Sequence, residues 1–433
     1  MKPQSLFYLS LGLALVAGEP LSIQTATEKA LAGNPRLLAA KLDSVAAQHR
    51  TQQSVARRFG DLDLVGQYNH FNDDRTLRPI AKELLPITVL PFDRNQTHYG
   101  ITWQIPLLAG GALREGDRIA RLSQEATEKM ALFTQEEIRY NVRAAYRNVL
   151  VLRHAVSAAE GFEKALEEDH KQAQLLVETG RWASVDAAKV DYSLQDAHAR
   201  RAGLQGQADS AQALLAALMG LDPPSEPFLL QDVEEQPQPL SQTGAALREE
   251  ATRERQDLLA TQASTAIAER KKAQAQWSFG PSLGLSGSYL KNEAPSVQGS
   301  FDTHELTLSL KIPVFDGGRR IRALSEARAN LEASRQRERA KTLEVETQVE
   351  DALGRLQASQ AQFEAGRAQR KLGAEVARVE RLKLEQGSGR VEDYLAARAQ
   401  ELAGETAYWQ GLYALQSASD YRNFVTGKGV NHD

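Results

Sequence analysis

IPLLAGG, residues 105–111, recurs as IPVFDGG, residues 312–318. In both copies a short apolar run meets a proline, and a Gly-Gly pair follows. Proline cannot donate to a β ladder, so Pro106 and Pro313 should end strands. The glycines Gly110, Gly111, Gly317 and Gly318 can take backbone conformations closed to other residues, and should turn the chain sharply into the next element. The offset between the copies is 207, and it also relates Gly180 to Gly387, Asp186 to Asp393 and Gly220 to Gly427. Upstream the offset is 221: Leu37-Leu38-Ala39 becomes Leu258-Leu259-Ala260, and Leu62, Leu64 and Tyr68 become Leu283, Leu285 and Tyr289. The difference, 221 − 207 = 14, lies between Tyr68 and Ile105, so one loop is longer in the first copy. The chain is a tandem duplication.

Ahead of each corner lie two segments of period two. Leu62, Leu64, Gly66 and Tyr68 alternate with Asp61, Asp63, Val65 and Gln67. Tyr99, Ile101, Trp103 and Ile105 alternate with His98, Gly100, Thr102 and Gln104. In the second copy, Leu283, Leu285 and Tyr289 are followed by Leu306, Leu308, Leu310 and Ile312 against Glu305, Thr307, Ser309 and Lys311. One apolar and one polar face make an amphipathic strand. Strands of about ten residues carrying Tyr and Trp suit either a soluble sheet on a core or a membrane barrel facing lipid. Four strands are too few to enclose a lumen, so the second case requires several chains.

Behind each corner the period becomes helical. No proline occurs from Ala112 to Thr179, and Ile138, Val142, Ala145, Val149, Leu152, Val156 and Ala159 step by fours and threes as in a coiled-coil seam. Val349, Leu353, Leu356 and Phe363 carry a comparable seam. Long helices are predicted at about 112–179 and 183–219, then at about 318–386 and 390–426, broken at Gly180 and Gly387 into antiparallel hairpins. The strands are predicted at about 60–71, 97–107, 281–291 and 303–314. A first repeat would occupy 19–221, a Pro-rich connector 222–240, a second repeat 241–427 and a tail 428–433. Lys2, the apolar run 6–16 and small residues at 16–18 read as a signal peptide over 1–18.

Composition removes several alternatives. With 52 basic and 56 acidic residues and no basic block, nothing suggests a nucleic-acid surface. No cysteine is present, which excludes disulfides, thiol chemistry and an N-terminal lipid-bearing Cys. The eight histidines show no paired ligand spacing, and no phosphate loop occurs, so neither metal nor cofactor is expected. GPSLG at 280–284 matches a nucleophile pattern, but Ser282 enters a predicted strand rather than a strand-to-helix elbow. No catalytic set emerges.

The signal segment, the duplication, the two corner motifs and the tips VETGRWASVD (177–186) and LEQGSGRVED (384–393) together resemble the TolC family of outer-membrane efflux proteins. The resemblance spans the mature chain. It implies a mainly α fold with a membrane β-barrel portion, built from two structural repeats, each a long helical hairpin plus a β-hairpin. Three chains would form a twelve-stranded β-barrel continuous with a periplasmic α-barrel, in the outer membrane of a Gram-negative bacterium. The expected role is a passive, non-enzymatic exit duct of a tripartite efflux pump or type I secretion system. Its partners would be a periplasmic adaptor (membrane fusion) protein, an inner-membrane pump or ABC transporter, and outer-membrane lipid.

In that family an acidic residue six positions after the second tip glycine lines the periplasmic constriction, which here implies Asp393. A second ring would fall at Ala396, so Glu392 is the remaining candidate there, and Asp186 holds the corresponding place in the first repeat. Carboxylates gathered on a threefold axis repel one another, favour cations and raise their own pKa values. A helix start is the simpler use of Asp393. The implied adaptor contacts are Thr179, Gly180 and Arg181 in one tip and Gly387, Ser388 and Gly389 in the other. Arg181 and Ser388 replace the family's usual apolar residue. A periplasmic coiled-coil adaptor or scaffold is the competing reading, but it would need one hairpin rather than two preceded by strands.

Overall fold

The computed structural model describes residues 20–77, 91–109, 111–224, 226–232 and 243–429. The expected signal peptide, Gly110, much of the connector and the last four residues lie outside the described residues, as does most of the longer first-repeat loop. The elements are α1 (Ile23–Gly33), α2 (Pro35–Ala56), β1 (Asp61–Thr76), β2 (Phe92–Ala109), α3 (Ala112–Glu178) and α4 (Ser184–Leu218). The same order follows again as α5 (Gly244–Glu254), α6 (Gln256–Trp277), β3 (Ser282–Glu293), β4 (Phe301–Lys311), α7 (Arg319–Glu385) and α8 (Val391–Thr426). Helices α3 and α7 have 67 residues each, about 100 Å at 1.5 Å per residue. Among the described residues no helix is long and apolar enough to cross a membrane.

The chain divides into two units, one drawn from Met1–Leu42, Lys129–Leu259 and Lys341–Asp433, the other from Asp43–Glu128 and Ala260–Ala340. The second unit holds the sheet, antiparallel in the order β1-β2-β3-β4. Its register sets Leu62 opposite Trp103, Leu64 opposite Ile101, Ile101 opposite Tyr289, and Leu285 opposite Leu308. Partners directly across a ladder share a face. The apolar members of all four strands therefore line one side of the sheet, and the Asp, Thr, Ser, Glu and Lys positions line the other. That apolar side is open: Leu64 is 86% exposed, Leu306 69% and Leu308 64%. Among the described residues nothing in the unit covers it as a soluble core would.

Proline 106 does not end its strand. β2 continues through it to Ala109. The pairing of β1 with β2 stops at Gln104, so on that side no carbonyl awaits the missing N–H. On the other side the register slips between Pro106 and Leu108, a bulge that takes up the irregularity. Pro313 lies beyond β4, which ends at Lys311.

In the first unit the heptad seam of α3 is buried: Ile138, Val142, Val149 and Ala159 are at most 2% exposed. Tyr146 and Leu150 widen it, and Leu21, Ile23, Ala26, Ala30, Leu37 and Leu215 pack against it. A second core joins Leu247, Ala251 and Leu258 to Val345, Val349 and Val425. The two cores correspond under the duplication. In each, a helix breaks just before the shared Leu, at Asn34 in one repeat and Arg255 in the other. Asn34 stabilises its break directly, since its Oδ1 accepts the Arg36 N–H at 2.9 Å and its amide donates to the Leu218 carbonyl at 2.8 Å. Sequence periodicity does not reveal these breaks, because the apolar spacing runs on through them.

Two long-range ties hold this unit. Asp420 on α8 is buried against Arg143, whose Nε donates to it at 2.8 Å, and against Arg147. Removing Asp420 would leave guanidinium charge without its carboxylate in a site closed to water. Tyr146 is fully buried, and its hydroxyl lies 2.6 Å from the Leu21 carbonyl and 2.7 Å from that of Gln231. Leu21 is itself paired with the connector, its N–H donating to the Leu229 carbonyl at 2.6 Å and its carbonyl accepting from Gln231 at 3.1 Å. One phenol thus pins the start of the described chain and the link between repeats to α3.

Tyr146→Phe keeps the ring and deletes that anchor, leaving the Leu21 carbonyl only the Gln231 N–H as donor. The expected loss is about 0.5–1.5 kcal/mol of stability, read as an earlier denaturant midpoint for the detergent-solubilised chain.

Candidate functional site

The tips of both hairpins lie in the helical unit and are built by one device. Gly180 has φ +68° and Gly387 φ +71°, the left-handed region that L side chains enter at a cost. The N–H of Gly180 donates to the Val177 carbonyl and that of Arg181 to Leu176; Gly387 and Ser388 repeat this onto Leu384 and Lys383. This pairing closes a helix by satisfying its last carbonyls. Gly389 adds a further bond to Lys383, and the Thr179 hydroxyl donates to the Leu175 carbonyl at 2.9 Å. Thr179, Gly180, Arg181, Gly387 and Ser388 are exposed, and Gly389 is half-buried.

Between the tips the two repeats meet. Ala173, Val190 and Val391 form a small core with Trp182, Leu384 and Leu395 packed on it. Beside it the Tyr394 hydroxyl donates to Asp169 at 2.8 Å. Burial pushes the Tyr394 phenol up to about 12, with Asp169 adding to the shift, and burial likewise raises Asp169.

The sequence-derived acids separate here. Asp186 and Glu392 are brought together by Lys189, whose ammonium donates to Asp186 at 3.0 Å and to Glu392 at 2.6 Å. Hydrogen bonding to Glu392 and then Asp186 raises the Lys189 pKa, and the Lys189 bond lowers that of Glu392. Within one chain, then, Glu392 is held ionised rather than pushed towards neutrality. Asp393 stands apart: exposed, and without a hydrogen bond or ion pair among the described residues. Neither Asp186 nor Asp393 is an N-cap. Those positions are Ala183 and Arg390, and both acids sit in the first turn, where the helix dipole favours negative charge. Lys189 escaped the sequence reading. Its spacing from Asp186 is visible, but Glu392 is 203 positions away.

An open apolar groove adjoins this bridge, lined by Val185, Ala188, Lys189, Tyr192, Glu392 and Leu395. Val185 is 57% exposed and Tyr192 77%.

The strand-to-helix corners lie in the sheet unit and are held differently. At Gly111, φ +81°, a Cβ would come within 2.7 Å of the Trp277 ring, so close packing requires glycine there. In the second repeat Gly317 and Gly318 have φ +70° and +85°, and an acid holds the turn. Arg320 donates to Asp316 from its backbone N–H at 3.2 Å and its Nε at 2.8 Å, and to the Pro313 carbonyl at 2.8 Å. Burial pushes the Asp316 carboxyl up, but these Arg320 bonds prevail and lower it. The Gly110 half of the first corner lies outside the described residues.

A family model described as outer membrane efflux protein matches residues 26–221 and 247–420. Several solved outer-membrane channels share the fold. VceC of Vibrio cholerae superposes with TM-score 0.75 at 17% identity, over 94% of this chain and 95% of that one. The CmeC channel of Campylobacter jejuni gives 0.79 at 14% identity, over 95% and 87%. The open-state MtrE channel of Neisseria gonorrhoeae gives 0.75 at 19%, over 95% and 90%. Compared by sequence with the curated proteins, the chain matches none.

The Lys189 bridge sets a pH window for the tip. Glu392 is shifted down, so its contribution is present above the ordinary Glu range near pH 4.3 and is lost as pH falls through the lowered value. Lys189 is shifted up, so its contribution is present below the ordinary Lys range near pH 10.4 and is lost as pH rises through the raised value. Hydrogen exchange at the tips, corrected for intrinsic rates, should be flat from about pH 5 to 9. Lys189→Gln should exchange faster there already at neutral pH.

Proposed function

The chain belongs to the outer membrane efflux protein family, whose members are channels rather than enzymes, and from that premise we propose that it works as one third of a passive exit duct. Its place is the outer membrane of a Gram-negative bacterium, with a large periplasmic portion. The observation that carries the trimer is the sheet. Among the described residues it has an uncovered apolar face and two edge strands, β1 and β4, each paired on one side only. Lipid tolerates neither a soluble sheet's edges nor an open ladder. Pairing β4 of one copy with β1 of the next, three times, gives twelve strands and no edge, with apolar residues facing lipid and polar residues facing the lumen.

The helical hairpins would extend that duct through the periplasm, and their tips would form its gate. The exposed Asp393 carboxylate, without a hydrogen bond or ion pair among the described residues, would face its symmetry copies, and three such carboxylates would favour cations. Glu392 and Asp186, tied by Lys189, would hold the two hairpins together beside it. A periplasmic adaptor would engage the exposed tip residues Thr179, Gly180, Arg181, Gly387 and Ser388, the half-buried Gly389, and the apolar groove next to them. Driving energy would come from an inner-membrane pump or ABC transporter.

Planar-bilayer recording of the detergent-purified protein tests this reading, with cross-linking to count subunits. Trimers and discrete conductance steps are expected, with cation preference weakened in Asp393→Ala. Steps unchanged by that variant would move the gate away from Asp393. A monomer released by carbonate extraction, giving no steps, would sink the duct in favour of a periplasmic scaffold.

A further inference from the structure

The first hairpin carries a second polar cluster, well away from its tip. Glu163 and Glu167 lie one turn apart on α3, and His198 faces them from α4. One ligand atom from each, two carboxylate oxygens and an imidazole nitrogen, all lie within 4.8 Å of one another. Glu163 is the unusual member, since only 8% of its side chain is exposed. One of its oxygens contacts the His198 Nδ1, and the other lies 2.5 Å from the Arg201 Nε. Leu166, Leu194 and Ala197, all buried, form the apolar floor nearby, with Phe162 against them.

A buried carboxylate must be compensated. Arg201 is the permanent cation paired with this group among the described residues, while Glu167 brings a second negative charge to the same spot. With a neutral imidazole, the two carboxylates and Arg201 carry one net negative charge, which a bound cation would offset. We propose that Glu163, Glu167 and His198 form a binding site for a divalent first-row transition-metal ion, Zn²⁺ being the best fit, which clips α3 to α4.

Two carboxylates and an imidazole suit that class of ion. Calcium and magnesium prefer six or more oxygen ligands and gain little from a histidine. Three protein ligands leave a fourth tetrahedral position for water. With metal–ligand distances near 2.0–2.2 Å, donor atoms sit roughly 3.3 Å apart. The present span, within 4.8 Å, is close to that spacing. Arg201, on the far oxygen of Glu163, would fix the carboxylate's orientation as an outer partner does in metal sites. The site does not depend on the duct reading, because it lies within one hairpin of one chain.

The test uses the full-length, detergent-purified protein, stripped with chelator and titrated with Zn²⁺ in a calorimeter, with Co²⁺ absorption as a second probe. One ion per chain is expected, together with a rise in melting temperature. Glu167→Gln keeps the shape of the cluster and should weaken binding by at least about tenfold, and His198→Ala should do the same and abolish the thermal shift. Absence of saturable binding, or binding untouched by both variants, overturns the proposal. A lower melting temperature in His198→Ala without zinc binding in the wild type would also overturn it, leaving a plain Glu163–His198 ion pair.

Discussion

Hydrocarbon offers no hydrogen bonds, and that single constraint organises the sheet unit. A strand placed in lipid must give every N–H and carbonyl to another strand. Within the chain, β2 and β3 meet this demand on both sides, whereas β1 and β4 meet it on one. The side-chain pattern answers the same solvent. Leu62 and Leu64 stay exposed, and no described element of the unit covers them. An apolar face and an unfinished ladder would both be liabilities in water. In an outer-membrane protein they become the surface that lipid wets and the seam at which further strands can add.

The helical unit solves the opposite problem, which is how to stop. A long helix with an apolar seam has no reason of its own to end, and its last carbonyls are costly to leave bare. Glycines at Gly180, Gly387, Gly220 and Gly427 take left-handed φ values and close each helix by the same pair of backbone bonds. Because termination is handled by the backbone, the side chains around each tip can serve other ends. At Gly180 and Gly387 those side chains assemble a small core, a Tyr394–Asp169 bond and the Lys189 bridge.

What the sequence reveals, and what it hides, follows from how far each interaction reaches. Alternation in β1 to β4, the seam of α3 and the closing glycines are local signals, and each was legible. Pro106 was misread because local chemistry forbids a ladder only where a neighbour is present, and β1 had already ended its pairing there. The break at Asn34 is signalled by Gly33 and Pro35 on either side of it, whereas no such local signal marks the corresponding break at Arg255. The candidate gate was half legible. The family resemblance implies Asp393 with Glu392 beside it, and repeat position adds Asp186, but which of them is tied down depends on Lys189 reaching across 203 positions. Glu163 and Glu167 show their spacing plainly, yet His198 belongs to the returning helix. No local pattern announces it.

The equal length of α3 and α7, 67 residues each, limits how such a chain can change over time. Both helices run from a glycine corner to a glycine tip, so neither end can slip to absorb an inserted residue. One added residue moves everything beyond it by about 1.5 Å and rotates it by about 100°, turning seam positions to the outside. Insertions and deletions in these helices should therefore come in steps near seven or eleven residues, which restore the facing side. They should also arise in both repeats together, since lengthening one alone would leave the two tips out of level and part Lys189 from Glu392. Gene duplication supplied two copies, and the matched helix lengths oblige them to keep growing or shrinking as a pair.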